Sequence, residues 1–321
     1  LGSEFGAGLP DAERAMLGYR LSLGVGVTAG VVQILFGVTL IVVLLLRPAG
    51  LASLLPGRSR RAFAETVDVA RAAAENSDTR DGIIGFVGVS VGASLVLLAA
   101  QDAELADRIS GVSVVAPYAD LKKVLRLATT GTYRGDGKSF QYATPDYLRL
   151  VTARSLVSLL PPGEDRESLL TLIPEMDHYY PSSEDSEDPL AALPAFGIVN
   201  SGNLGPETER VLDLLTNQDP ERFDALYAAL PSRMRAEIER LSPAAEAKRL
   251  RAPVEIASAP RDIYFPLAEQ RELARNAPEN LARVTVTAAL SHANLEPSFN
   301  DTRALLRLNG FVVRSLRETR Q

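Results

Sequence analysis

An α/β fold, with a mostly parallel sheet flanked by helices and an all-helical insertion, is predicted by three observations. The first is the run Ile83 to Ala100, IIGFVGVSVGASLVLLAA. Its first half is apolar and β-branched, as in a strand buried on both faces, and its second half is made of helix formers. The second is a pair of short apolar runs near the carboxyl end, Pro253 to Ser258 and Arg283 to Ala289, with a helical pattern at Leu267 to Arg275 between them. The third is the stretch from Leu121 to about Leu250, which holds several capped helices and no convincing strand. A sheet interrupted by a helical block implies a core of residues 16–120 and 251–321 carrying a cap of residues 121–250.

The elements follow in order. Leu1 to Gly8, LGSEFGAG, reads as a remnant of an expression vector, and residues 1–15 as a linker outside the fold. Leu21 to Leu46 carries no charge over 26 residues and admits two parses. Flanked by Arg20 and Arg47, it is long enough for a bilayer-spanning helix. Alternatively, Leu21 to Val27 is a strand, Thr28 to Gly30 a turn, Val31 to Phe36 a short helix and Val38 to Leu46 a buried parallel strand. Arg47-Pro48-Ala49-Gly50 is loop punctuation and favours the second parse. That parse implies a cytoplasmic protein, the other a membrane-anchored one.

Arg61 to Asn76 places Phe63, Val67, Ala70 and Ala74 at helical spacing, and Gly111 to Ala116 is a further buried strand. In the cap, Thr144-Pro145-Asp146 opens a helix that runs to Leu160 and stops at Pro161-Pro162. Pro206 to Leu215, Pro220 to Leu230 and Ser232 to Leu241 read as three more helices, and PSSEDSEDP from Pro181 to Pro189 as a solvated acidic loop. Asn300 to Leu316 is the last helix.

Composition narrows the chemistry. A net charge of -6 and no basic run beyond Arg58, Arg60 and Arg61 argue against a nucleic-acid partner. The absence of cysteine removes disulfides, thiolate catalysis and cysteine-ligated metals together. Two histidines, His178 and His292, leave no histidine-rich metal site and two candidates for any step that needs an imidazole.

Gly88-Val89-Ser90-Val91-Gly92 is G-x-S-x-G at a strand-to-helix joint, the nucleophile elbow that holds a serine hydroxyl out at the strand's carboxyl end. Glycines on both sides of the serine are expected to let helix and strand approach without a Cβ clash. A serine hydroxyl is a weak nucleophile unless a base takes its proton, and the base needs a carboxylate to fix its tautomer. After Ser90, the last two strand patterns each end near one suitable residue, Asp262 and His292, in the order Ser, Asp, His. His178 lies in the cap segment, where a loop or substrate-contact role is expected. The backbone N–H of Val91 is the expected first donor to an oxyanion, and the loop of Val27, Thr28 and Ala29 the expected second, with Thr28 the choice.

FVGVSVGAS, LSPAAEAKRLRAPVEIASAPRDIYFP and the late LSHANLEP resemble bacterial α/β-hydrolases with a helical cap, over roughly Arg47 to the carboxyl end. The resemblance implies Ser90 as nucleophile. It also implies Asp262 as the acid, in a context matched by Pro253, Val254 and Pro266, and His292 as the base. Two features depart from it: no His-Gly pair precedes Ser90, and the stretch between the first core strand and Val38 is short. The function expected is hydrolysis of a small-molecule acyl ester through an acyl-enzyme, with no metal or organic cofactor. Two alternatives stay open. One is a membrane-anchored or degenerate hydrolase-fold binding protein, and the other is peptidase or acyltransferase chemistry on the same three residues.

Overall fold

The structure, a computed structural model, describes residues 56–76, 79–135, 137–174, 188, 190–292, 294–295 and 301–318. The candidate span Leu21 to Leu46 lies outside them. Among the described residues no helix is long and apolar enough to cross a membrane.

A four-stranded parallel sheet carries the fold. Its strands are β1 (Ile84–Val89), β2 (Ile109–Val115), β5 (Val254–Ser258) and β6 (Ala282–Val286), adjacent in that order. Val112 pairs with Val254, and Val254 in turn with Ala282. Parallel strands need long crossovers. α2 (Val91–Ala99) links β1 to β2, and α10 (Leu267–Asn276) links β5 to β6. Strand alternation sorts the core into two layers. Val112, Val114, Val254 and Ile256 face Ala93 and Leu97 of α2 and Leu273 of α10. Val115 and Ala257 point the other way, toward Phe311 of α11 (Thr302–Glu318). The same alternation puts Glu255 on the α11 side, where Arg314 Nε donates to its carboxylate at 2.8 Å and Arg314 Nη2 donates to Thr285 at 2.7 Å. A helix α1 (Pro56–Glu75) precedes the sheet and buries Val67 and Ala70 against the α2 layer.

β6 ends earlier than the run Arg283 to Ala289 suggests. Thr287 is buried, its N–H bonds to Ser258 O at 3.0 Å, and its hydroxyl donates to Ala304 O of α11 at 2.7 Å. The N–H bond extends the β5–β6 ladder one step past the strand, and the hydroxyl bond holds the start of the loop that carries His292 against α11.

Between β2 and β5 lies the segment expected from the sequence to be a cap, called the cap below, with α3 (Leu121–Thr130), α4 (Asp146–Val157), α5 (Glu164–Leu172), α6 (Ala192–Val199), α7 (Pro206–Leu215), α8 (Phe223–Ala229) and α9 (Ser232–Arg240). It is not all helical. β3 (Thr132–Gly135) and β4 (Lys138–Gln141) form an antiparallel hairpin directly after α3. Gly131 caps α3 at φ 66°, a left-handed position that glycine adopts without strain, and so turns the chain into the hairpin. The cap has its own core, in which Leu150, Val211, Leu214, Phe223 and Met234 are fully buried. Truncating one of these to alanine costs about 2–5 kcal/mol.

Glu269 ties cap to core. The residue sits on α10 with no exposure, and its carboxylate accepts the N–H of Ala119 at 2.6 Å, that of Asp120 at 2.7 Å and the Tyr133 hydroxyl at 2.7 Å. Ala119 and Asp120 are where the chain leaves the sheet for the cap, and Tyr133 belongs to the hairpin. Burial pushes the Glu269 carboxyl up to about 7 from an ordinary 4.5, with the Asp120 N–H and the Tyr133 hydroxyl pulling it back. A carboxyl raised on folding favours the protonated folded state. Its stabilising contribution is complete below about pH 4.5 and is lost as pH rises through about 7. The loss is on the order of 3 kcal/mol at about 1.4 kcal/mol per pH unit. Glu269→Gln keeps an acceptor for the amides without the charge. Its urea midpoint is expected to gain on the wild type between pH 5 and pH 8; a constant difference across that range would refute the assignment.

Candidate active site

Ser90 stands where β1 becomes α2, with φ 55° and ψ -123°. Such a backbone costs a non-glycine residue about 1–3 kcal/mol and persists only where its surroundings hold it. Here they do. Ser90 N–H donates to Val115 O at 2.8 Å, which extends the β1–β2 ladder one step past the strand. Gly88 lets the returning helix come close, since a Cβ there would lie 2.6 Å from Ala93 Cα and 2.8 Å from Gly92 O. Gly92 differs from expectation. Among the described residues nothing lies within 4 Å of its would-be Cβ, so the steric demand rests on Gly88 alone. Val91 is the first residue of α2, and its N–H has no acceptor within the helix.

The structure brings Ser90, His292 and Asp262 together. Ser90 Oγ lies 2.9 Å from His292 Nε2, and His292 Nδ1 lies 2.8 Å from Asp262 Oδ2 and 3.0 Å from Oδ1. An ionised carboxylate only accepts, so Nδ1 carries the ring proton and the Nε2 lone pair faces the serine hydroxyl. Asp262 is buried in the loop after β5, and its Oδ1 also accepts the N–H groups of Tyr264 and Phe265, both at 2.9 Å. These bonds fold the loop around the carboxylate and aim it at the ring. His292 lies between the two-residue strands β7 (Leu290–Ser291) and β8 (Asn294–Leu295), which pair antiparallel. Its φ of 52° is what a two-residue hairpin loop requires at its first position.

Two aromatic rings fix the imidazole: Tyr264 at 4.7 Å between centroids and Phe265 at 5.3 Å, edge-on. Tyr118 packs edge-on against Phe265 at 5.5 Å. Sequence reasoning did not assign these rings. The signal available was the Tyr264-Phe265 pair two and three positions after Asp262, the span of a carboxylate turn. Burial, and then the charge of Asp262, raise the Tyr264 hydroxyl above its ordinary value, so the ring stays neutral beside the imidazole. His178, and Thr28 as second oxyanion donor, lie outside the described residues. Among the described residues no three His, Asp or Glu side chains group as metal ligands.

No protein-family model and no curated protein matches the sequence. Solved structures of α/β hydrolases are similar to the chain in fold. One is an α/β fold family hydrolase from Bacillus anthracis str. Sterne, at 16% identity and TM-score 0.37 over 79% of this chain and 73% of that one. Another is the monoacylglycerol lipase of Paleococcus ferrophilus, at 16% identity and TM-score 0.37 over 79% and 76%. A third is an acetylester hydrolase from Corynebacterium glutamicum, at 13% identity and TM-score 0.34 over 79% and 67%.

The two glycines are expected to respond in opposite ways. Gly88→Ala overpacks the turn and is expected to lose about 1–3 kcal/mol of stability. Gly92→Ala replaces a helical glycine whose would-be Cβ meets nothing among the described residues, and is expected to hold or gain up to about 1 kcal/mol. Urea denaturation of both variants checks this.

Proposed function

We propose that the chain is a serine hydrolase of the α/β-hydrolase class that cleaves carboxylic esters through an acyl-enzyme. The observation that carries this reading is the hydrogen-bonded line from Ser90 Oγ through His292 to Asp262, built on a backbone turn that is strained at Ser90. Ser90 Oγ attacks the acyl carbon while His292 Nε2 takes the hydroxyl proton, and the carbonyl π pair moves onto oxygen. The oxyanion faces the Val91 N–H, a donor of a kind worth about 2.7–4 kcal/mol to the transition state. When the tetrahedral intermediate collapses, the alkoxide leaves and takes the proton from Nε2. Water then repeats the sequence: Nε2 takes its proton, the hydroxide oxygen bonds to the acyl carbon, and Ser90 leaves with the proton as the acid departs. Asp262 stays ionised throughout and stabilises the imidazolium.

A fluorophosphonate is expected to label the wild type and to spare Ser90→Ala; a folded protein that resists labelling would overturn the reading. Asp262→Asn keeps an acceptor for the Tyr264 and Phe265 amides but presents N–H to the ring, which moves the ring proton to Nε2. Its kcat on a p-nitrophenyl ester is expected to fall about 10⁴-fold with little change in folding. His292→Ala is expected to abolish the same turnover, whereas His178→Ala keeps most of it; the opposite pattern would move the base to His178.

A further inference from the structure

An apolar cavity of about 100 Å³ lies between α2 of the core and α3, α4 and α9 of the cap. It begins beside the candidate catalytic residues. Val91 follows Ser90, Phe265 packs on the His292 ring, and both line it together with Leu148 of α4. Leu148 shares a packed cluster with Val91 and Phe265, whereas Leu156, two turns further along α4, belongs to the cap's own core. Leu148, Val151, Thr152, Ser155 and Leu156 line the space at the spacing of one helix face, and Leu159, just past the end of α4, lines it as well. The cavity therefore runs along α4, away from Ser90.

We infer that this slot takes the acyl chain of the substrate and limits its length, an inference that rests on the ester hydrolase reading above. The acyl side is indicated by position. Among the described residues Val91 and Phe265 line the slot and His292 does not, whereas the leaving group must lie toward His292 Nε2 to receive its proton. An apolar cavity of about 150 Å³ admits one benzene-sized group, so 100 Å³ holds a linear acyl chain of about four carbons. The lining surface is chiefly apolar, with Tyr118, Thr152, Ser155 and Glu237 as its polar members, and this favours an unsubstituted chain, since a hydroxyl or carboxylate against the apolar wall would lose its water without replacement. Leu159 and Thr152 are half-buried, so each can be changed with less risk to the cap core than Leu156.

The experiment compares two series on the full chain. One is p-nitrophenyl esters from acetate to laurate, which lengthens the acyl side; the other is acetate esters of alcohols from methyl to octyl, which lengthens the leaving side. In the first series kcat/KM is expected to rise about fourfold per methylene to a maximum near butyrate and then to fall. The second series is expected to stay within a few-fold. Leu159→Ala is expected to shift the maximum toward octanoate, and Thr152→Leu toward acetate, each changing the acetate-to-hexanoate ratio about tenfold or more. Fluorophosphonate labelling of the same preparations separates the two claims. Labelled protein with a flat acyl profile, with chain-length dependence on the alcohol side, or with neither variant moving the maximum overturns the slot and leaves the hydrolase reading intact. Unlabelled protein overturns both.

Discussion

The backbone of Ser90 is the constraint on which the rest of the site depends. At φ 55° it points the hydroxyl away from the sheet, and three features around it make that conformation tolerable. One is the bond from its N–H to Val115 O, another is the missing Cβ at Gly88, and the last is the start of α2 at Val91. Each couples the serine to a different part of the core. The parallel ladder fixes its height above the sheet, the strand-to-helix approach fixes its direction, and the helix start supplies an N–H with no acceptor within the helix. His292 meets this hydroxyl because a second strained position, at φ 52°, turns a short hairpin beside it.

Order in the site comes from polar groups that hold loops as well as from the three central residues. Asp262 accepts two backbone amides in addition to facing the imidazole, so the atom that orients the ring is itself fixed by the loop that carries it. Thr287 does similar work for the other loop by bonding to Ala304 O. Glu269 extends the pattern to the cap, where one buried carboxylate holds both the exit of β2 and the hairpin. The cost of burying that carboxylate appears as its raised pKa, which links cap attachment to pH.

Much of the core was legible because its signals are local. The apolar run into Ser90, the short runs before Asp262 and His292, and the breaks at Pro and Gly between them identify strands, helices and their order without reference to distant residues. The cap was harder. Every residue of β4 is exposed and the strand carries no apolar alternation, so Lys138 to Gln141 offers nothing that period alone detects. The hairpin exists because Gly131 turns the chain and Tyr133 is buried against Glu269, a residue 136 positions away. Gly92 shows the converse. The G-x-S-x-G pattern gives both glycines equal weight, whereas the packing assigns the close approach to Gly88.

From the sequence alone came the class of fold, the candidate serine, aspartate and histidine, and their order along the chain. Alternation, helical spacing and turn chemistry act over a few residues, and a linear reading captures them. Tertiary structure decided the 2.9 Å and 2.8 Å contacts that join those three residues, the two rings that hold the imidazole, the burial of Glu269 and the slot along α4. These depend on segments separated by tens to hundreds of residues being packed together. Distance, burial and enclosed volume then arise from the packing of those segments and from no one of them taken singly.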